Sequence, residues 1–568
     1  MNGLGWLAPH HQRRRRFILA GAATMALVAG LSGGSLPAAF AGTTGGDAAT
    51  GATETVIVSS TGLLSPVTSV LGVFGTVLTQ YHLIDAVEAT IPVVAQGFLS
   101  ALPGITVTPD VSVNVESVPP ESTGPHTPSD AFLQQTGADQ LAASGDTGQG
   151  VTVAVLDTGI DNLPDFAGRL IGGVDLSGEG NPFADNYGHG TFVAGLIAGD
   201  GASSGGQYSG EAPGADLVSI KVAGANGATD LATLISGLQW AVDHEQADNI
   251  RVLNISLGFK PFESTVLNPL DQAVEATWRS GITVVTSAGN AGPENGTILS
   301  PGDDPLAITV GALDDLAQPA VSADEMNDFS SVGPTSPDGW AKPDLVTSGR
   351  SVVSLAAPGS TIDTEYPSAR VGAANFVGSG TSFSAAITSG AAALVLSAHP
   401  GLTPDQVKAR LLGTASAGPV GNPFVDGHGA LNADAAATAG PMDFDQSALL
   451  TLPTLAGETV SLSPLRGIST WNASRWSGTS WSPDAGGTGS TLNSGGWTGS
   501  AWNGDGWTGS AWNGWAWTGS AWNTGGWTGS AWNSQAWTGS AWNGDGWTGS
   551  AWDGAAWTGL TWNSSAWD

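Results

Sequence analysis

The chain has no cysteine. That excludes a disulfide scaffold, a thiol nucleophile, thiolate zinc centres and iron–sulfur clusters. Basic residues are scarce: 16 Lys and Arg stand against 49 Asp and Glu, a net charge of −33. Four of the arginines are consecutive, Arg13 to Arg16, so the rest of the chain is more acidic still. Nucleic acid and anionic membrane surfaces would repel such a molecule, and neither is expected as a partner. Long hydrophobic runs are missing apart from Phe17 to Leu31, which is broken by glycine and falls short of the roughly 18–20 residues that a membrane span needs. What the chain does have is 83 glycines and 23 tryptophans in 568 residues, with 41% hydrophobic residues. That is enough apolar content for a sizeable core, and more glycine than an ordinary globular chain carries.

The ends differ from the middle. Arg13–Arg16, the apolar Phe17–Leu31 and the small-x-small Ala39-Phe40-Ala41 have the order of a secretory signal cut after Ala41; a retained membrane anchor is the alternative. A secreted chain without cysteine depends on packing, and on bound ions if it has any, rather than on covalent staples. At the other end a Trp falls every five residues from Trp497 to Trp567, within a ten-residue unit Trp-Thr-Gly-Ser-Ala-Trp-Asn-x-x-x. Five is not a helical period, and the glycine content opposes helix. Asn503-Gly504, Asn513-Gly514 and Asn543-Gly544 are hairpin turn signals. Short strands in a meander or solenoid are expected. Two readings fit the array: an attachment module gripping wall or surface glycan through indole faces, or a self-packed or partly disordered low-complexity tail without a ligand.

Between the ends, Thr55–Ser59 suggests a strand, His82–Leu102 a helix interrupted at Pro92, and Ile105–Val115 a strand. Pro119–Pro128 is rich in Pro, Ser, Thr and Glu, as an exposed linker is. From Gln149 the pattern changes. Val151–Leu156 is an apolar, β-branched run of the kind buried in parallel sheets. Leu217–Val222, Val252–Ser256 and Ile282–Thr286 suggest further strands, and Phe192–Ala198, Asp230–Asp243 and Asn268–Ser280 the helices between them. That alternation predicts an α/β domain with helices on both faces of the sheet. Its active residues are expected at the carboxyl ends of the strands.

Three motifs stand out. Asp157 closes the first buried strand in Leu156-Asp157-Thr158-Gly159, His189 lies in Tyr187-Gly188-His189-Gly190-Thr191, and Ser382 lies in Gly378-Ser379-Gly380-Thr381-Ser382-Phe383-Ser384. Each alone has an ordinary explanation as a turn, loop or helix-cap residue. Together they are the parts of a nucleophilic hydroxyl, its base and the carboxylate that orients the base. In the order Asp…His…Ser they resemble the subtilisin family of serine proteases, from about Gln135 to Leu412; two other protease and hydrolase folds use different orders.

The resemblance implies a subtilisin-like three-layer α/β domain with a central, mostly parallel sheet, and a secreted serine endopeptidase acting on proteins or peptides. Asp157, His189 and Ser382 would form its triad. Asn290, in Ser287-Ala288-Gly289-Asn290-Ala291-Gly292, would be its oxyanion-hole donor. Substrate would bind as an added strand along Ser256, Leu257 and Gly258, with Gly224 to Gly227 as the opposite rim and Ala288 and Gly289 beside it. No acid lies in those stretches, so an apolar or broad preference for the residue preceding the cut bond is expected. Two landmarks, Phe329–Pro334 and Lys342-Pro343-Asp344, are expected to be structural. Phe383-Ser384-Ala385-Ala386 departs from the Met-Ala-x-Pro that often follows the family's nucleophile, without removing a reacting group. No cofactor is needed for such chemistry. Structural calcium is implied by the family, but no ligand set is visible: Asp303-Asp304 and Asp314-Asp315 read equally as solvated surface, and no twelve-residue calcium loop or His-Glu-x-x-His occurs.

Residues 55–115 resemble the family's inhibitory prosegment, a folding aid and temporary inhibitor; the alternative is a retained N-terminal domain. The expected division is 1–41 signal peptide, 42–120 propeptide, 121–440 catalytic domain, 441–495 linker and 496–568 Trp-rich module, with a small α+β propeptide and a β-type tail. Self-cleavage is expected between Glu116 and Ser129, and the mature enzyme is expected to be a monomer outside the cell. Two other readings compete. One is a surface-binding protein with a vestigial protease domain. The other is a sedolisin-type acid protease, which would need Glu where His189 stands.

Overall fold

The computed structural model describes residues 52–60, 71, 75–102, 104–115 and 127–442, with strand segments between 487 and 563. The expected signal, most of the expected 441–495 linker and most of the expected self-cleavage stretch lie outside them. The chain forms two compact units, Met1–Asp110 and Val111–Asp568.

In the first unit, β1 (Thr53–Ser60), β2 (Thr76–Gln80), β3 (Ala86–Pro92) and β4 (Ile105–Pro109) form an antiparallel sheet in the order β2-β3-β1-β4. Val56, Val58, Val87, Ala89, Ile91 and Leu99 form its core. The helix expected over His82–Leu102 is instead strand up to Pro92 and then helix α1 (Val93–Ser100). Pairing with β1 decides it: Ala86–Pro92 lies opposite Thr53–Ser59 and buries alternate residues against Val56 and Val58. Pro92 has no N–H to lose at the strand end and has extended backbone at the helix start. The expected strand Ile105–Val115 also splits. Its first half is β4, and its second half, β5 (Ser112–Val115), belongs to the other unit.

The second unit is built on an eight-stranded sheet. Its strands are β6 (Thr152–Asp157), β7 (Leu170–Asp175), β8 (Asp216–Lys221), β10 (Ile250–Ile255), β12 (Thr283–Ser287), β13 (Ile308–Asp314), β14 (Glu325–Met326) and β15 (Leu345–Ser348). The order is β14-β13-β12-β10-β6-β8-β7, with β15 also on β13. Every pairing is parallel except β13 with β14. All six residues of β6 are buried, as in a strand covered on both faces.

The helices packed on the sheet include α2 (His189–Ala198), α3 (Leu231–Asp248), α4 (Pro269–Ser280) and α5 (Thr381–Ala398). α2 packs with α5, and α3 with α4, each pair also against central strands. α5 is apolar and buried along nearly all its length, as a core helix is. The mostly parallel α/β architecture expected from the sequence is therefore present, with boundaries shifted by one to five residues.

Two short elements matter for the site. β5 lies between β9 (Ala228–Asp230) and β11 (Leu257–Gly258) in a small antiparallel sheet. The landmark Lys342-Pro343-Asp344 is structural: Lys342 and Lys408 are buried against Asp344 at 2.5 and 3.4 Å. Burial lowers the Lys408 ammonium to about 7. Burial alone would raise Asp344, but the two lysines hold it below its usual value. Between Gly487 and Asn563 the described strands pair in parallel, with Trp517 opposite Trp527 and Thr518 opposite Thr528. Parallel partners are not joined by two-residue hairpins; the glycines of the Asn-Gly steps lie outside the described residues.

Candidate active site

Asp157 is the last residue of β6 and is fully buried. His189 is the first residue of α2, and its Nδ1 lies 2.9 Å from both Asp157 carboxylate oxygens. Two glycines permit the approach. Gly188 turns into the helix at φ 108, a conformation that L side chains rarely adopt. A Cβ on Gly190 would overlap the Gly159 carbonyl and press on Asp157.

Asp185, which the sequence did not flag, ties the two segments together. Its carboxylate accepts from Gly188 N and Thr191 N at 2.7 Å and from Thr158 Oγ1 at 2.8 Å, while Thr158 Oγ1 accepts from Gly190 N at 2.9 Å. Burial pushes the Asp185 carboxyl up, and those donors pull against it. A lone Asp in a loop carries no pattern that distinguishes it in the sequence; only the fold brings these donors to it.

Ser382, the second residue of α5, is fully buried. Its Oγ donates to the Ser256 carbonyl at 3.4 Å, and Ser256 Oγ donates to the Ser382 carbonyl at 3.2 Å. A buried polar chain continues behind them: Asn254 Nδ2 donates to Ser256 Oγ, and Ser389 Oγ to Asn254 Oδ1, both at 2.9 Å. His189 Nε2 is buried and makes no hydrogen bond, so Ser382 is not hydrogen-bonded to it here. Contacts of this kind often tighten only on binding. The ring of Phe383, the next residue, lies 5.6 Å from that of His189.

Asn290 is hydrogen-bonded to the α5 start. Its Oδ1 accepts from Thr381 N at 2.9 Å and Thr381 Oγ1 at 3.0 Å. Its Nδ2 is buried without a partner. A buried polar atom left unpaired costs about 1–3 kcal/mol. Two such atoms, His189 Nε2 and Asn290 Nδ2, flank the first turn of the helix that carries Ser382.

The residues expected to bind substrate fall into place unevenly. β5 already lies as an extended chain along the two expected rims. Val115 stands opposite Leu257, Asn114 opposite Gly258, and Val115 N donates to the Gly227 carbonyl at 2.9 Å. The Gly224 carbonyl closes a turn onto Gly227 N, and the space a Cβ would take faces Glu179. Ala288 is buried and pairs through its backbone with Val310 and Leu299. Beside His189 a cavity of about 260 Å³ is lined by Val115, Phe192, Ile362, Tyr366, Phe376 and Phe383 among others.

The alternative of a solvated surface is overturned for three acidic residues. Asp303 and Asp304 are buried beside Asp271; burial and the neighbouring Asp304 carboxylate raise Asp303, and burial raises Asp304 to about 6 against the pull of Lys342, Lys408 and two backbone N–H groups. Asp315 is buried and accepts from Ser129 and Ser348 at 2.9 Å each. Among the described residues no three His, Asp or Glu side chains come together to hold a metal ion. The residues present therefore do not fit a calcium site of that kind, and none is assigned.

Comparisons with known proteins show which family the chain resembles. Residues 148–432 match the model of the subtilase family, Peptidase S8. Serine protease AprX of Bacillus subtilis is 42% identical over 313 residues, covering 54% of this chain and 70% of the relative. Subtilisin NAT of Bacillus subtilis subsp. natto is 36% identical over 309 residues, with the same coverage. The crystal structure of fervidolysin from Fervidobacterium pennivorans, described as a keratinolytic enzyme related to subtilisin, superposes with a TM-score of 0.55 at 24% identity. That match covers 70% of this chain and 63% of that one, and it bears on the fold. The chain belongs to the subtilase family and is a subtilisin-like serine endopeptidase.

Proposed function

We propose that Asp157, His189 and Ser382 carry out the hydrolysis and that Asn290 stabilises its oxyanion. His189 Nε2 takes the proton of Ser382 Oγ as the hydroxyl attacks the peptide carbonyl, and later gives it to the leaving amine. Asp157 accepts the Nδ1–H, fixes the tautomer and stabilises the imidazolium. Asn290 Nδ2 and backbone N–H groups at the start of α5 donate to the negative oxygen of the tetrahedral intermediate. The observation that carries this reading is the pair of unpaired buried atoms, His189 Nε2 and Asn290 Nδ2, beside the Ser382 helix start.

The reading extends to a pre-proprotein. Support comes from β5, whose residues precede the catalytic domain yet take the place of a bound strand between Gly227 and Leu257–Gly258. Residues 42–115 would be the inhibitory prosegment, residues 1–41 the export signal and the Trp-rich tail an attachment module for wall or surface glycan. The enzyme would act outside the cell on proteins or peptides, as a monomer.

The test is casein hydrolysis by the purified protein and its Ser382→Ala variant. Clearance by the first and loss of about 10³-fold or more in the second is expected. Equal, absent clearance would favour the surface-binding reading.

A further inference from the structure

The rim beside β5 has little to hold itself in place. From Ala223 to Gly227 it reads Ala-Gly-Ala-Asn-Gly, with no large apolar side chain to anchor it in the core, so hydrogen bonds must set its position. Its working group is the Gly227 carbonyl, which accepts from Val115 N at 2.9 Å and is offered in the same way to a substrate strand. The ring of Tyr187, two residues before His189, lies against Gly227: a Cβ there would fall 2.7 Å from Tyr187 Cζ.

Glu179 anchors this rim. Its Oε1 accepts from Ala225 N at 2.8 Å, and its Oε2 from Asn186 Nδ2 and Lys221 Nζ at 2.7 Å each. Gly224 leaves the room for it, since a Cβ there would fall 2.9 Å from Glu179 Oε1. One carboxylate thus ties three segments: the rim, the loop that leads to His189, and β8, where Lys221 lies opposite Asp157. Lys221 is fully buried and also donates to the Ala184 carbonyl at 2.5 Å. The loop that carries Glu179 is closed by Asp175, which accepts from Ser177 N and Oγ at 2.8 Å and from Asn181 N at 2.7 Å. On the next peptide group of the rim, Thr361 Oγ1 donates to the Ala225 carbonyl at 2.7 Å. Burial alone would raise the Glu179 carboxyl, but Lys221, Ala225 N and Asn186 hold it below its usual value.

We propose that Glu179 is a positioning residue for the reaction: it fixes the rim relative to His189 and so sets how well an extended peptide is delivered to Ser382. The inference rests on the site assignment proposed above. A misplacement of about 1 Å away from the chemistry can cost about 10²-fold, and a rim of small residues has few other contacts to resist one. The effect belongs to substrates that reach Gly227. An acylated single amino acid has no N–H to offer that carbonyl and gains little from the rim. A merely structural role, neutralising buried Lys221, makes the opposite forecast: it depends on the charge of Glu179 and is blind to the length of the substrate.

The experiment measures kcat/KM for a tetrapeptide p-nitroanilide ending in Leu and for the p-nitrophenyl ester of acetyl-leucine, with the processed enzyme, Glu179→Ala and Glu179→Gln. Labelling of Ser382 by a phosphonylating reagent counts active sites in all three. Glu179→Ala is expected to lower the ratio of peptide to ester kcat/KM by at least about tenfold. Glu179→Gln, which lacks the charge but keeps an oxygen for Ala225 N, is expected to restore most of that ratio. Equal losses on the two substrates, or a Gln variant no better than the Ala variant, overturn the proposal while labelling upholds the site. Should Glu179→Ala not fold, Ala225→Pro deletes the N–H and leaves the Glu179–Lys221 pair in place; it must lower the ratio likewise, and an unchanged ratio overturns the proposal. Absence of both labelling and hydrolysis in the wild type overturns the site assignment, and this inference with it.

Discussion

At the scale of single residues, the groups proposed to react stand in recognisable sequence motifs, and the residues that support them do not. Asp157, His189, Asn290 and Ser382 sit in short motifs of glycine and small polar residues, because each must lie where backbone turns sharply or approaches closely. Gly190 illustrates the need, since a side chain there would strike Gly159 and Asp157. Asp185 and Asn254 have no such motif. Their partners lie on other elements, Asp185 on Thr158 and Thr191, Asn254 on Ser256 and Ser389. The buried acids were hidden for the same reason.

Asp324 shows how such a residue behaves. It is buried, with one oxygen accepting from Gln135 at 2.8 Å and the other unpaired. Burial, reinforced by Asp314 and Asp315, raises it from 3.8 to about 7. The folded state thus holds this proton more tightly than the unfolded chain does. Its contribution to stability is full below about pH 4 and is lost as pH rises through about 7. Thermal unfolding of wild type and Asp324→Asn at pH 5 and pH 8 checks this. The variant should lose part of the decline in Tm between the two pH values; an identical decline would contradict it.

At the scale of elements, buried parallel strands were the easiest to read, because continuous apolar runs such as Val151–Leu156 have few other uses. The N-terminal unit misled at Pro92, where the helical spacing of apolar residues yielded to pairing with β1. β5 is the element whose importance the sequence hid. It looks like the end of the strand begun at Ile105, yet it pairs with β9 and β11 at the site. If it is the prosegment's hold on the cleft, release needs the enzyme's own cut. Ser382→Ala should then accumulate as a precursor that retains residues 42–115. N-terminal sequencing of the exported variant reads this directly; a normally processed N-terminus would assign the cut to another protease.

At the scale of the whole molecule, the family match covers residues 148–432, and the flanks give the enzyme its own context. A net charge of −33 on 568 residues keeps it soluble and discourages binding to polyanions. The tail repeats every ten residues, and its described strands stack in parallel with like residues opposite. That register was open in the sequence between meander and solenoid because the Asn-Gly steps point to hairpins while the ten-residue period allows stacking. Everything proposed for the enzyme still depends on one proton path through His189 to Ser382. The most direct measurement is intact-mass analysis after treatment of the processed enzyme with a serine-directed phosphonylating reagent. One adduct on Ser382 is predicted, formed rapidly by the wild type and at least about 10³-fold more slowly by His189→Ala. No adduct on Ser382, or equal rates in the two proteins, would contradict the account.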